Sequence, residues 1–173
     1  MDISLEPISP ETIDTYISVG IKSYNEHYPH LWDNEDTSTY INKNFTKKGV
    51  ERELSDGNNA HFLIYLKDRA IGIVKLVKNC SIDEFSNEES LLAEKIYLLK
   101  AYAGKGIGKI VLQYIENHAK NLNKRILWLD TMQKGNPINF YLKNGFHIKR
   151  ESELTLTGAK PSERAMWILT KPL

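Results

Sequence analysis

Residues 95–122 read KIYLLKAYAGKGIGKIVLQYIENHAKNL, and the rest of the chain is organised around them. An apolar run, Ile96-Tyr97-Leu98-Leu99, gives way to a loop carrying Gly104, Gly106 and Gly108. Ile107, Ile110, Val111, Tyr114, Ile115, Ala119 and Leu122 then recur at steps of three and four, which is one face of a helix. The stretch predicts a strand, a glycine loop and a helix start. A helix start leaves backbone N–H groups without intrahelical partners, and its dipole favours an anion there. Lys105 and Lys109 add mobile positive charge. The stretch therefore reads as a phosphate cradle. It is not a dinucleotide fingerprint, because Lys109 stands where the last glycine of G-x-G-x-x-G would fall. Nor is it a Walker A loop, because Ile110 replaces the required Ser or Thr and Ala103 the first glycine.

The bulk numbers narrow the function classes. A chain of 173 residues predicts one domain, spanning residues 1–173, with a sizeable core. No apolar run reaches membrane-spanning length and the N-terminus lacks signal-peptide shape. Cys80 is the sole cysteine, so no internal disulfide forms; a soluble cytoplasmic protein is expected, with no membrane partner. A net charge of +1 argues against general nucleic-acid binding. The charge is unevenly spread. Residues 1–60 hold 11 acids and 5 bases, and residues 61–173 hold 11 acids and 18 bases. The second part contains the proposed anion cradle; the first suits a cationic substrate, or is ordinary solvated surface.

Around the cradle the pattern predicts the following elements. Ile3 to Ile8 alternates as a strand. Ser9-Pro10-Glu11 starts a helix whose buried face is Ile13, Ile17, Ile21 and Tyr24. Tyr24 to Asp33 is aromatic, polar and irregular, the composition of a binding loop. Its two histidines lack partners in any metal-ligand spacing, so no metal is expected. Helices follow over Ser38 to Phe45 and Lys48 to Leu54, with a turn at Asp56 to Asn59. His61 to Leu66 and Ala70 to Lys78 form a hairpin with a charged tip at Lys67-Asp68-Arg69. Cys80 to Ser90 is a loop, Leu91 to Leu99 enters the cradle, and Arg125 to Thr131 leaves it as a strand. A strand, helix, strand succession implies a right-handed parallel crossover. Asn136 to Leu142 is a short helix ended by Asn144-Gly145, and Phe146 to Leu156 and Ala165 to Thr170 close the chain as strands. The fold expected is a mixed α/β sheet with a parallel centre and helices on both faces.

The loop Ala103-Gly104-Lys105-Gly106-Ile107-Gly108 resembles the acetyl-CoA loop Gln/Arg-x-x-Gly-x-Gly/Ala of the GCN5-related N-acetyltransferases (GNAT), with Ala103 in the first place. Pro137-Ile138-Asn139-Phe140-Tyr141-Leu142-Lys143-Asn144-Gly145-Phe146 resembles the segment A-I-x-F-Y-x-K-x-G-F of the same family. Two motifs in the right order, separated by a strand, are strong together. The resemblance implies a mostly antiparallel sheet with a central parallel pair, and transfer of an acetyl group from acetyl-CoA, the cosubstrate, to an amine without a covalent acyl-enzyme. It implies that the pyrophosphate lies on Gly104, Lys105, Gly106, Ile107, Gly108 and Lys109. It further implies that backbone amides of Ile96, Tyr97 and Leu98 bind the pantetheine and polarise the thioester. The resemblance also implies a CoA contact at either Lys134 or Asn136.

The chemistry asks for a proton acceptor, because an alkylammonium titrates near ~10.4. It asks also for a donor to the leaving thiolate. Tyr141 is the candidate acid by its motif place, contacting both CoA and the reacting sulfur. A phenol titrates near ~10 and a thiol near ~8.5, so hydrogen-bond donation describes its part better than full transfer. Glu94 is the candidate base: it interrupts the apolar run Leu91 to Tyr97, burial there would raise its pKa, and alternation puts it on one face with Ile96 and Leu98. A carboxylate paired with a neighbouring lysine or arginine is the alternative, and Asp130 is the rival base. Tyr24, Tyr28 and Trp32, with Glu94-Lys95-Ile96-Tyr97, look like the bacterial spermidine and diamine branch of the family. That likeness implies an acceptor site at Tyr28, Trp32 and Glu94, with Glu26, Asp33, Glu35 and Asp36 available to ammonium groups and Trp32 as a cation–π face, the alternative being that these are solvated loop residues. A small-molecule amine is thus the expected partner. The alternatives are a protein N-terminus or lysine, and a non-catalytic acyl-CoA-binding regulatory module. Sheet edges that need cover leave room for a homodimer.

Overall fold

Seven strands form one sheet, in the order β1-β2-β3-β4-β5-β7-β6. In the computed structural model, which describes residues 1–173, the strands are β1 (Ile3–Pro7), β2 (Asn59–Leu66), β3 (Arg69–Val77), β4 (Ser90–Leu98), β5 (Ile126–Met132), β6 (His147–Glu153) and β7 (Ala165–Pro172). Every neighbouring pair is antiparallel except β4 with β5. The helices are α1 (Ile13–His27), α2 (Ser38–Asn44), α3 (Lys47–Ser55), α4 (Ile107–Asn121) and α5 (Pro137–Lys143). No helix is long and apolar enough to cross a membrane.

Two apolar clusters sandwich the sheet. On one face, Ile107, Val111, Leu112, Ile115 and Ala119 of α4 and Ile138 of α5 pack on Ile64, Val74, Leu76, Leu91, Ala93, Leu127 and Leu129. On the other, Ile13 and Tyr16 of α1, Phe45, and Val50 of α3 pack on Leu63 and Ile73. The stripe predicted for α4 is confirmed at its centre. Leu112 joins it, while Tyr114 and Leu122 stay exposed at its rim.

The segment expected to be a binding loop begins as helix instead. Tyr24 to His27 complete α1, because Tyr24 continues the buried face and only Pro29 stops the chain from going on. Two single 3₁₀ turns, Pro29–Leu31 and Asp33–Glu35, then carry the chain to α2.

Two irregularities mark the candidate site. The parallel pairing of β4 with β5 covers only Ser90↔Ile126, Leu91↔Leu127 and Leu92↔Trp128. Beyond Leu92 the strands part and the sheet has a gap. At the same level β4 is bulged: Leu76 faces Ala93 and Lys75 faces Lys95, so Glu94 is an extra residue with no partner on β3.

Candidate active site

The gap between β4 and β5 joins the two faces of the sheet. Leu99 N donates to Ile71 O across β3 at 2.9 Å. By the two-residue alternation of an antiparallel ladder, the amides of Leu98 and Ile96 point the opposite way, into the gap. Tyr97 N–H points to β3, so the expectation that all three amides serve the ligand is corrected to Ile96 and Leu98. The Tyr97 side chain lies on the α1 face, its hydroxyl 2.5 Å from that of Tyr40. The far end of β4 is latched to α1: His27 Nε2 donates to Leu98 O at 2.9 Å, and Lys100 N donates to Glu26 Oε2 at 2.7 Å. Glu26 is thereby occupied in a backbone contact; Asp33, Glu35 and Asp36 are exposed on the following turn.

On the α4 face the loop forms an open cradle. Gly106 caps α4 with a left-handed backbone (φ 82°), no side chain caps the helix, and a Cβ added at Gly106 would meet nothing within 4 Å. The first-turn N–H groups of Ile107, Gly108 and Lys109 are therefore free for an anion. Lys105 lies over the Tyr102 ring, 5.8 Å from its centroid, and is exposed like Lys109. Gly108 has a second job: a Cβ there would approach the Phe140 ring to 3.0 Å, so the glycine lets α4 and α5 pack closely. Asn136 sits exposed at the start of α5, whereas Lys134 reaches Glu163 at 3.4 Å. Residues suited to hold a CoA group are thus gathered along the loop, the α4 start and the free edge of β4.

Tyr141 is half-buried on α5, its ring edge-on to those of Phe140 and Phe146. Burial pushes its phenol well up, and the neighbouring Tyr28 and Asp130 push it further in the same direction. These three residues come from α5, the end of α1 and β5, near enough for Tyr28 and Asp130 to be felt at the Tyr141 phenol. Asp130 is reached by water from one side yet crowded by protein; this crowding raises its carboxyl above the ordinary value, with Glu94 adding to the effect.

Glu94 follows the alternative, a carboxylate paired with lysine, and not the raised pKa expected of a base. Burial pushes its carboxyl up, but Lys95 and Lys75 together outweigh burial and hold it below the usual range. Lys75 Nζ lies 2.7 Å from Glu94 Oε2, and Lys95 Nζ bonds the same oxygen. The bulge also breaks the alternation. Glu94 joins Lys95 and Tyr97 on the α1 face, because Lys95 faces Lys75 and Ile96 faces Val74, and so does not share a face with Ile96 and Leu98.

Trp32 is corrected more sharply. It is 0% exposed, its Nε1 donates to Tyr24 Oη at 3.0 Å, and it pairs with Ala159, so no cation–π face is offered. The side chain is large and apolar enough to be core, and α1 supplies the one partner its N–H needs. Tyr28 remains partly open, 5.7 Å from the Tyr97 ring centroid. Sequence reasoning allowed Glu94 a lysine partner but did not single out Lys75, and it missed Glu53 and Tyr40. A lysine inside the run Ala70-Ile71-Gly72-Ile73-Val74-Lys75-Leu76-Val77 was the available signal; Glu53 and Tyr40, on polar helices, gave none.

Residues 57–148 match the family model described as Acetyltransferase (GNAT) domain, more than half of the chain. A curated relative from Lactobacillus delbrueckii subsp. lactis, an uncharacterized N-acetyltransferase in the pepI 3' region, is 22% identical over 148 residues, 83% of each protein. Among solved structures, the PaiA N-acetyltransferase of Thermoplasma acidophilum in complex with coenzyme A superposes with a TM-score of 0.76 at 21% identity, covering 100% of both chains. A chimera of the spermidine N-acetyltransferase SpeG from Vibrio cholerae and hSSAT superposes at 0.70 with 13% identity, covering 99% of this chain and 96% of that one. Both share the overall fold described above. With the glycine cradle, the interrupted parallel pair and the family match in hand, the chain belongs to the GNAT acetyltransferase family and is an acetyl-CoA-dependent acetyltransferase.

Proposed function

We propose that the whole chain is one acetyltransferase domain that moves an acetyl group from acetyl-CoA to a primary amine, of the polyamine class, by direct attack. The observation that carries this is the gap beyond Leu92, at which a phenol, two carboxylates and free backbone amides converge from opposite faces of the sheet. The cofactor side is the loop from Gly104 to Lys109, the amides of Ile96 and Leu98, and the exposed Asn136. The acceptor side is Tyr28, Glu94 and Asp130.

Each residue takes one task. The pyrophosphate charge sits on the start of α4. The Ile96 and Leu98 N–H groups hold the pantetheine and polarise the thioester carbonyl. Tyr141 donates a hydrogen bond to the leaving sulfur; its raised pKa keeps the proton on the phenol until thiolate charge develops. Glu94, held ionised, binds the acceptor's ammonium group. Asp130, whose pKa lies above the ordinary value, takes the proton, since a base nearer neutrality is the better acceptor. Two carboxylates pushed apart in pKa in one cleft are the usual mark of such a division. The spermidine enzyme among the structural neighbours supports the choice of a polyamine, as does the −6 charge balance of residues 1–60.

The test is release of CoA thiol from acetyl-CoA against spermidine, spermine, putrescine, amino acids and short peptides. Selective turnover with a polyamine is the expected result. Turnover with peptides alone would transfer the reading to a protein N-terminus or lysine. Tight CoA binding without turnover on any amine would replace it with a regulatory acyl-CoA-binding module.

A further inference from the structure

Behind Glu94 lies a chain of buried charges that the transfer step does not use. Lys95 and Lys75 are 3% and 6% exposed. Lys75 Nζ bridges Glu94 Oε2 at 2.7 Å and Glu53 Oε1 at 3.0 Å. Glu53 Oε2 in turn lies 2.7 Å from Nε2 of His61, whose side chain is fully buried. Lys95, Glu94, Lys75 and Glu53 alternate in sign, so each carboxylate faces an ammonium. Burial pushes the Glu53 carboxyl up, but the His61 and Lys75 hydrogen bonds outweigh it and bring it down to about 2. An ionised Glu53 accepts, so His61 Nε2 carries the proton; its Nδ1 is buried with no partner. The string ends at His61 on β2, and water reaches both of its carboxylates: the Glu94 side chain is 34% exposed and that of Glu53 29%.

The detail that matters is which oxygen is held. Both lysines bond Oε2 of Glu94, and Oε1 takes no protein hydrogen bond. Resting on the amine-transfer reading above, we propose that Lys75 and Lys95 are positioning residues: they grip Glu94 by Oε2 and present Oε1 to the acceptor's ammonium, while Glu53 and His61 fix Lys75. Two ammonium groups on one oxygen set the carboxylate plane, and the bulge that frees Glu94 from β3 gives it the reach. The groups facing Glu94 from the elements around it are Lys75 on β3, Lys95 on β4, Asp130 on β5, Tyr16 on α1, Tyr40 and Cys80. Only the two lysines favour its ionised form; the others disfavour it or are neutral.

The experiment follows the Glu94 carboxyl directly, by carbon-13 NMR titration of the free protein, in wild type, Lys75→Met and Lys75→Arg. It is paired with kcat and KM for the amine and for acetyl-CoA between pH 5 and 9. In wild type, Glu94 titrates below the ordinary carboxylate range. In Lys75→Met its titration moves up. The KM for the amine then rises by about tenfold for each pH unit below the new pKa, with the KM for acetyl-CoA unchanged. Lys75→Arg restores both. A merely structural lysine would lower melting temperature without moving the Glu94 titration, and that result overturns the proposal. So does a wild-type Glu94 that titrates at or above the ordinary value, a readout that needs no variant to fold. Should the NMR shifts appear as expected while no amine is turned over, the grip of the lysines on Glu94 stands and the amine-transfer reading falls.

Discussion

In the reading proposed above, the two faces of the sheet solve the same problem, holding a ligand beside the gap, by different means. The α4 face uses backbone. Its anion cradle is a left-handed glycine and a first helical turn without a capping side chain, and its other contacts are amides on the free edge of β4. The α1 face uses side chains brought together from distant parts of the chain: Glu94 on β4, Lys75 on β3, Glu53 on α3, Asp130 on β5 and Tyr28 at the end of α1. A ligand common to a whole family suits the first, because a backbone site depends on local geometry alone. An acceptor that varies suits the second, because side chains can be exchanged without rebuilding the fold.

The comparison breaks most visibly at the cradle. Gly106→Val places a β-branched residue at φ 82° and puts its side chain into the open space above α4. The left-handed backbone alone costs roughly 1–2 kcal/mol, so the fold persists while the anion site is filled. CoA affinity, measured by calorimetry, should fall by roughly a thousandfold, about 4 kcal/mol. A folded variant that binds CoA like wild type would reduce the loop to a helix cap.

Asp130→Asn and Tyr141→Phe then sharpen the division of labour across the gap. Removing the proton acceptor should lower kcat by about a hundredfold. The sign of the pH effect follows from the raised Asp130 pKa. The carboxyl must be ionised to act, so wild-type kcat falls as pH drops through a value above the ordinary carboxylate range, and this acid limb vanishes in Asp130→Asn. An acid limb unchanged in the variant would assign the base elsewhere. For Tyr141→Phe the expected loss in kcat is smaller, about tenfold, with the KM for acetyl-CoA nearly unchanged. Unaltered turnover would remove Tyr141 from the mechanism.

The same contrast explains what could be read without coordinates. The strand, glycine loop and α4 were legible because period and turn chemistry are local, and the β4–β5 crossover followed from element order. The parallel pair was legible too, but its shortness was not: where two strands part depends on packing of the whole sheet. Glu94 was singled out as the odd residue in an apolar strand. The alternation rule nevertheless misplaced it, because one bulged residue shifts the register on which the rule depends. Its pKa went astray for a related reason, since Lys75 lies 19 positions away in sequence and its pairing is set only by the register of β3. Trp32 failed from the opposite side. Its polar neighbours in sequence suggested an open ring, and only the return of the chain at Gly158 and Ala159 buries it.

The smallest effect expected concerns the partition between the faces itself. Gly72 on β3 faces Leu98 on β4, and a Cβ there would come within 2.4 Å of Tyr97 O, with Ile64 Cδ1 and Leu98 Cδ2 each at 2.9 Å. The two side-chain carbons can rotate away. The carbonyl oxygen cannot, because the Tyr97 backbone is held in the ladder with Ile73. Gly72→Ala must therefore push the end of β4 away from β3, towards the gap. Overpacking of this kind costs about 1–3 kcal/mol, a fall of roughly 2–9 °C in Tm at this chain length. The displaced Ile96 and Leu98 amides should raise the KM for acetyl-CoA by a few fold, while the Glu94 grip, two residues beyond Ile96 and anchored from α3, keeps the KM for the amine as it was. A rise in both constants together would mean that β4 moves as one rigid strand and that the two faces are mechanically coupled through it. No rise in either would mean that β3 yields instead, leaving the edge of β4 positioned by its latch to α1, the contacts of His27 with Leu98 and of Glu26 with Lys100.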